Sequence, residues 1–203
     1  YIKGDPFANY KIRLKRVDRG YLTEEELKIL RETPITSKRV AQVRDVFLFA
    51  CYTGLAYIDL KLLRAENIRT SFDGNQWIMT HRHKTDTPVN VPILDIPMEL
   101  IERYKGVSKK GYILPILSNQ KMNQYLKDVA EACGIEKNIT FHMARHTFAT
   151  TVTLSQGVPI ESVSKMLGHT QIKTTQIYAK ITKEKISQDM EALSHKLKGL
   201  EMQ

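Results

Sequence analysis

Apolar residues recur along this chain at two different periods, and the change of period marks where helices give way to strands. Thr23-Glu24-Glu25-Glu26 has the spacing of a capping box, so a first helix is expected there with Leu27 and Leu30 on its buried face. A second helix is predicted from about Ser37 to Thr53, with Val40, Val43, Val46, Phe47 and Ala50 as its apolar stripe and Gly54 as its stop. After Thr53-Gly54-Leu55 a short helix is expected around Tyr57 to Leu63. Asp59 falls there among Ile58, Leu60 and Leu62, which implies a buried donor for its carboxylate.

From Asn67 to Ile93 the period becomes two. Ile68 to Phe72, the turn pair Asp73-Gly74 and Gln76 to Thr80 read as a hairpin, and Val89 to Ile93 as a third short strand. Between the second and third strands lies His81-Arg82-His83-Lys84-Thr85-Asp86. In extended chain Arg82 and Lys84 would share one face, about 7 Å apart by strand rise, with His81 and His83 on the other.

Helical spacing returns at Pro97 to about Tyr104, and again from about Gln120 to Cys133, where Asn119 is the expected cap. Met122, Tyr125, Leu126, Val129 and Ala130 should face inward there, and Gly134 should end the helix. One continuous helix is predicted from about Phe141 to Gln156, closed by Gly157. Pro159 opens the next, with Ile160, Val163 and Leu167 buried and Gly168 ending it just before His169. The tail from Lys183 to Leu200 carries apolar residues at Ile186, Met190, Leu193, Leu197 and Leu200, one narrow stripe on a polar helix. The pattern as a whole is mainly α with a small three-stranded antiparallel β-sheet.

Charge changes this picture more than composition does. The net charge of +9 and a pI near 9.5 point to a polyanionic partner. Residues 1–20 are basic and turn-rich, read as an interdomain linker, and the start at Tyr1 reads as a fragment of a longer chain. No apolar run approaches membrane-span length and no signal peptide heads the sequence, so a cytoplasmic, nucleoid-associated location is expected. Cys51 and Cys133 sit in apolar helical patterns as buried thiols, and no histidine pair has metal-ligand spacing. Neither a metal nor a cofactor is expected.

The chemistry concentrates between Phe141 and Ile181. His142, Arg145 and His146 lie three and four residues apart, so one helix face presents them together. His169 follows in Leu167-Gly168-His169, and Tyr178 comes nine residues later. Imidazoles, a guanidinium and a phenol supply donors for nonbridging phosphate oxygens, a proton shuttle and a hydroxyl nucleophile.

His-x-x-Arg-His, then Leu-Gly-His, then Tyr, preceded by a hairpin lysine, resembles the tyrosine recombinase family in residue type, order and spacing, over about residues 20–182. The likeness is to the catalytic domain of a phage or mobile-element integrase. It implies that Tyr178 attacks a DNA phosphate to give a 3′-phosphotyrosine, with Arg145 and His169 on the nonbridging oxygens. His142 would handle the tyrosine proton or support a phosphate oxygen, Lys84 would protonate the leaving 5′-oxygen, and His146 would be a structural neighbour. It further implies double-stranded DNA as substrate, a homo-tetramer on paired recombination sites and an N-terminal core-binding domain that this sequence lacks. Accessory DNA-bending proteins and exchange of residues 183–203 between subunits are also implied.

One departure stands out. The family normally has arginine after Thr-Gly-Leu, whereas Ala56 follows Thr53-Gly54-Leu55 here. Asp59 still matches the family's acidic position, so the register holds. Arg82 is the candidate replacement, ahead of Arg64 and Arg69, and a subset of conjugative-transposon integrases looks similar in lacking this arginine. Two other readings accompany the site-specific recombinase: a tyrosine-type topoisomerase, and a DNA-binding regulator that keeps the fold without the chemistry.

Overall fold

A computed structural model of the chain describes residues 20–108, 111–179, 186–187, 189–191 and 193–194. The basic stretch read as a linker lies outside the described residues except for Gly20. The expected class is present: helices α1 (Glu24–Glu32), α2 (Lys38–Thr53) and α3 (Tyr57–Lys61), then strands β1 (Ile68–Thr70), β2 (Gln76–His81) and β3 (Pro88–Pro92). Helices α4 (Asp95–Arg103), α5 (Asn119–Ala132), α6 (Phe141–Thr147) and α7 (Ile160–Met166) follow.

Helix α1 begins on the predicted capping box, Thr23 accepting from the Glu26 N–H while the Glu26 carboxylate accepts from the Thr23 N–H at 2.8 Å. Helix α2 is the central post. A single stripe was expected, yet Val43, Val46, Phe47, Leu48, Phe49, Ala50 and Cys51 are all buried, because α1, α4, α5 and α6 pack on different sides of it. Truncating a side chain such as Phe47 would cost about 3–5 kcal/mol. Cys51 and Cys133 are buried free thiols.

The sheet has strand order β1-β2-β3, both pairs antiparallel, with Ile78 opposite Val91 and His81 opposite Pro88. Ile78, Val89 and Val91 enter the core, as a period of two requires. Some boundaries differ from expectation, among them two helix starts. Helix α4 starts two residues before Pro97, which occupies its first turn, where no backbone donor is missed. The cap of α5 is Ser118 rather than Asn119, its hydroxyl accepting from the Lys121 N–H.

The single helix predicted from Phe141 to Gln156 breaks into three geometries. Regular α6 is followed by a π-helical stretch, Phe148–Thr153, and a 3-10 turn, Leu154–Gln156. Threonine hydroxyls account for the change, since they compete for main-chain carbonyls. Thr153 Oγ1 donates to the carbonyls of both Phe148 and Ala149 at 2.9 Å. Thr147 Oγ1 accepts from the Leu22 N–H at 3.0 Å, and Thr151 Oγ1 donates to the Leu22 carbonyl, which ties the chain entering α1 to this segment.

Candidate active site

Helix α6 is set in place by α5 and α2. Its first N–H, on Phe141, is capped by Asn123 Oδ1 at 2.8 Å, and the Phe141 ring packs edge-on against Phe47 and Tyr57. That fixes the azimuth of Arg145, whose guanidinium is carried inward to 5% exposure. There Nη1 donates to the Gly54 carbonyl at 2.7 Å, while Nη2 donates to the Leu167 carbonyl and to His169 Nε2, the latter at 3.0 Å. A planar fork of five N–H donors has more capacity than these acceptors use.

The Gly54 carbonyl is available only because residue 54 is glycine. Its φ is +68°, and a Cβ there would lie 2.4 Å from Cδ1 of Phe148 in the π-helical stretch. One backbone position therefore ends α2, admits Phe148 and holds Arg145.

His169 follows the end of α7, its N–H bonded to the Ser164 carbonyl at 3.0 Å. Its Nδ1 lies 2.8 Å from Oγ1 of Thr175, a fully buried residue. Burial, then Arg145 and Arg82, lowers the imidazole pKa to about 4, so the ring is neutral at physiological pH. An arginine can only donate, so Nε2 is the lone-pair nitrogen and the proton sits on Nδ1, aimed at Thr175. The phosphate-donor role implied for His169 thus needs a second proton, which an incoming anion would favour.

Tyr178 belongs to the turn after a 3-10 segment (Ile172–Thr174), with its N–H bonded to the Thr175 carbonyl at 3.0 Å. It is 6% exposed. The edge of His146 meets its ring at 4.8 Å and 89°, and His169 stacks on it at 6.3 Å and 10°. Tyr178 also acts electrostatically on Arg145, whose pKa is drawn down to about 10 by burial and by Arg82 and pushed back up by Tyr178 and Asp59. The guanidinium remains charged.

Arg82 reaches this cluster, but not by the route expected. Strand β2 ends at His81, and the next residues form a turn in which the Thr85 and Asp86 N–H groups bond the Arg82 carbonyl at 3.2 and 2.8 Å. Alternation stops there, so Arg82 and Lys84 do not share a strand face. Arg82 is half-buried, its Cγ and Cδ passing 3.1 and 3.0 Å from where a Cβ on Gly168 would stand, and its Nε is buried with no hydrogen-bond partner. Lys84 is exposed on the turn. The turn is held by Asp59, whose Oδ1 accepts the His83 N–H at 2.8 Å; the carboxylate is buried as expected, but its donor is a half-buried main-chain group of an exposed residue.

His142 is exposed, its ring 4.9 Å from that of His146. It lines a cleft of about 460 Å³ with Ala56, Asn119, Asn123, Thr140 and Arg145. Ala56, where the resemblance leads one to expect arginine, is thus part of the cleft wall. Arg64 lies over the Tyr112 ring at 5.3 Å and Arg69 Nε donates to the Glu66 carbonyl at 3.1 Å, so both are engaged elsewhere. The structure therefore gathers Arg145, His169, Tyr178 and Arg82, sets His142 at the rim and leaves Lys84 exposed on the turn. Sequence reasoning missed Thr175 and Gly168. Only the placement of a hydroxyl three residues before the tyrosine pointed to the first, and a glycine ending a helix carries no signal that an arginine must pass it.

Comparison with known proteins bears on the family and the fold. Residues 20–185 match the model of the phage integrase family. A tyrosine recombinase XerD of Lacticaseibacillus casei is 28% identical over 210 residues, covering 96% of this chain and 69% of that protein. A XerD of Listeria monocytogenes serotype 4b (strain F2365) is 48% identical over 67 residues, 33% of this chain and 22% of that protein, so this stronger likeness spans well under half of the relative. Among solved structures, XerA recombinase superposes with a TM-score of 0.68 at 24% identity, over 85% of this chain and 64% of that one. A lambda integrase (75-356) dimer bound to a COC′ core site superposes with a TM-score of 0.65 at 18% identity, over 83% and 62% of the two chains. At those identities the structures speak to the fold, and the family model speaks to membership. The chain belongs to the phage integrase family, as a catalytic domain of the tyrosine recombinase type.

Proposed function

We propose that this domain cuts and rejoins double-stranded DNA through a covalent 3′-phosphotyrosine at Tyr178, as part of a site-specific recombinase. The observation that carries the reading is a pair of cations with no carboxylate bound to either among the described residues, Asp59 acting on Arg145 only from a distance. Arg82 and Arg145 lie close enough to repel, both largely out of water, and among the described residues neither makes an ion pair with a carboxylate. The buried, unpartnered Arg82 Nε adds an unmet donor. A phosphodiester answers all of these, because it brings negative charge and nonbridging oxygens that suit guanidinium forks.

In this reading the Tyr178 oxygen attacks phosphorus, the tyrosyl proton leaves through His142 or a bound phosphate oxygen, and the O5′ leaving group takes a proton from Lys84. Arg145 and Arg82 offset the charge that builds on the nonbridging oxygens. Arg82 thereby stands in for the arginine absent at Ala56. The ester bond is conserved in the phosphotyrosine, so reversal onto another 5′-hydroxyl needs no metal and no nucleotide cofactor.

The physiological task proposed is integration or excision of a mobile element by a tetramer on two sites, completed by an N-terminal core-binding domain and helped by DNA-bending proteins. Ile186, Met190 and Leu193 are helical and exposed at 54%, 58% and 44%, which supports exchange of this C-terminal segment with a neighbouring subunit. Leu197 and Leu200 lie outside the described residues. Ala56 favours a second reading, a DNA-binding regulator without chemistry.

The test is covalent capture by the full-length protein on a library of nicked duplexes, with the adduct digested and mapped by mass spectrometry. A phosphonucleotide on Tyr178, lost in Tyr178→Phe, supports the enzyme. Sequence-selective binding with no adduct supports the regulator. Relaxation of a single supercoiled circle without paired sites supports a topoisomerase instead.

A further inference from the structure

We propose that Thr175 is a positioning residue that couples the tautomer of His169 to the seating of Tyr178; this rests on the strand-cleavage reading above and extends it. Thr175 is fully buried and stands between the two groups in sequence and in space. Its hydroxyl oxygen lies 2.8 Å from His169 Nδ1, and its carbonyl accepts the Tyr178 N–H at 3.0 Å. One residue therefore fixes an imidazole through its side chain and the nucleophile-bearing turn through its backbone.

The direction of each hydrogen bond follows from the donors present. Arg145 Nη2 has only protons to offer, so the His169 Nε2 at 3.0 Å must accept. A neutral imidazole then carries its proton on Nδ1, and Thr175 Oγ1 is the acceptor facing it. The charged groups around the ring agree with neutrality: Arg145 comes from α6 and Arg82 from the β2–β3 turn, and among the described residues no carboxylate joins them in acting on His169. Seen from Tyr178, the His169 ring is the parallel face of its stack, so a rotation of the imidazole would also remove support from the phenol.

The arrangement has a consequence for catalysis. With the Nδ1 proton held by Thr175, the edge of His169 that Arg145 occupies is the edge a phosphate oxygen would take over, and Nε2 becomes a donor on gaining one proton. Without the hydroxyl, the buried Nδ1–H has no acceptor, so the ring can turn away from Arg145. Only then, with Nε2 released from its donor, can the tautomers exchange and present the wrong nitrogen. By analogy with residues that orient metal-bound histidines from behind, an effect on activity of about ten- to hundredfold is expected.

Thr175→Val removes the acceptor while keeping the shape, and Thr175→Ser keeps the acceptor. Nitrogen-15 chemical shifts of His169 in the DNA-free full-length protein report which ring nitrogen is protonated, independently of any activity. Native protein and Thr175→Ser are expected to show a single Nδ1–H tautomer, and Thr175→Val a proton shared between both nitrogens. Covalent adduct formation on nicked DNA should fall about ten- to hundredfold in Thr175→Val at unchanged DNA affinity, and stay near native in Thr175→Ser. A native tautomer and native adduct rate in Thr175→Val would overturn the proposal, as would a Thr175→Ser variant as slow as Thr175→Val. If native protein forms no Tyr178 adduct at all, the strand-cleavage reading fails, and the nitrogen shifts still decide whether Thr175 sets the tautomer.

Discussion

Two buried polar clusters use the same residue types to opposite ends. Between α2 and α4, the Asp45 carboxylate, with its side chain 4% exposed, accepts from Arg44 Nε at 3.0 Å, Arg103 Nη1 at 2.9 Å and the Tyr104 hydroxyl at 2.9 Å. Burial and then the Asp45 charge push the Tyr104 phenol well above its ordinary range, which keeps it a neutral donor. In the second cluster Arg145, Arg82 and Tyr178 meet with no carboxylate in an ion pair to either arginine among the described residues. The first cluster has its anion built in and serves the fold. The second has its cations built in, with Asp59 acting on Arg145 only from a distance, and so leaves room for an anion from outside.

That contrast breaks most sharply under charge removal. Arg145→Ala should lower covalent adduct formation by about 10²–10³-fold, the scale of a lost oxyanion donor, and Arg82→Ala should come close to it while Arg64→Ala stays near native. The measurement is adduct yield against time on nicked DNA. Native cleavage by Arg82→Ala with loss in Arg64→Ala would reassign the substitute clamp. Asp45→Ala should behave inversely, losing about 3 kcal/mol in urea denaturation while retaining the adduct under conditions where it is folded. Arg103 is half exposed, which keeps this figure at the lower end for a broken buried pair.

Gly168→Ala sharpens the comparison at smaller amplitude. Its Cβ would stand 2.7 Å from Val89 Cγ2 and 3.0 Å from Arg82 Cδ, at φ +61°. A stability loss of about 1–3 kcal/mol is expected, with a further loss of adduct that Asp45→Ala does not share, because Arg82 must move. The last effect is acidic. His169 titrates near 4 when folded against 6.5 when unfolded, so between those values the unfolded chain binds more protons. Stability is therefore full above pH 6.5, falls as pH drops through this window and levels off below about 4. His169→Gln should flatten that part of the melting-temperature profile, which is read by thermal denaturation across pH.

Much of this was legible in residue order alone. The capping box at Thr23, the glycine stop at Gly54 and the three short strands are local or periodic signals, and the family resemblance named His142, Arg145, His169 and Tyr178. Where reading failed, something nonlocal intervened. Threonine hydroxyls turned the continuous helix after Thr147 into a π-helical stretch, partly through the distant Leu22. At the β2–β3 turn, main-chain bonds to the Arg82 carbonyl and the hold of Asp59 on His83 ended the alternation that would have paired Arg82 with Lys84.

The sequence by itself determined which groups could act and in what order they come, because helix periods, caps and turn residues express the physics of neighbouring residues. Tertiary structure alone decided that Arg145 would hang from the carbonyls of Gly54 and Leu167, that Arg82 would turn inward past Gly168, and that Thr175 would stand behind His169. Except for the six-residue step from His169 to Thr175, those are contacts between segments far apart along the chain. Their geometry follows from close packing around α2, which no local pattern encodes.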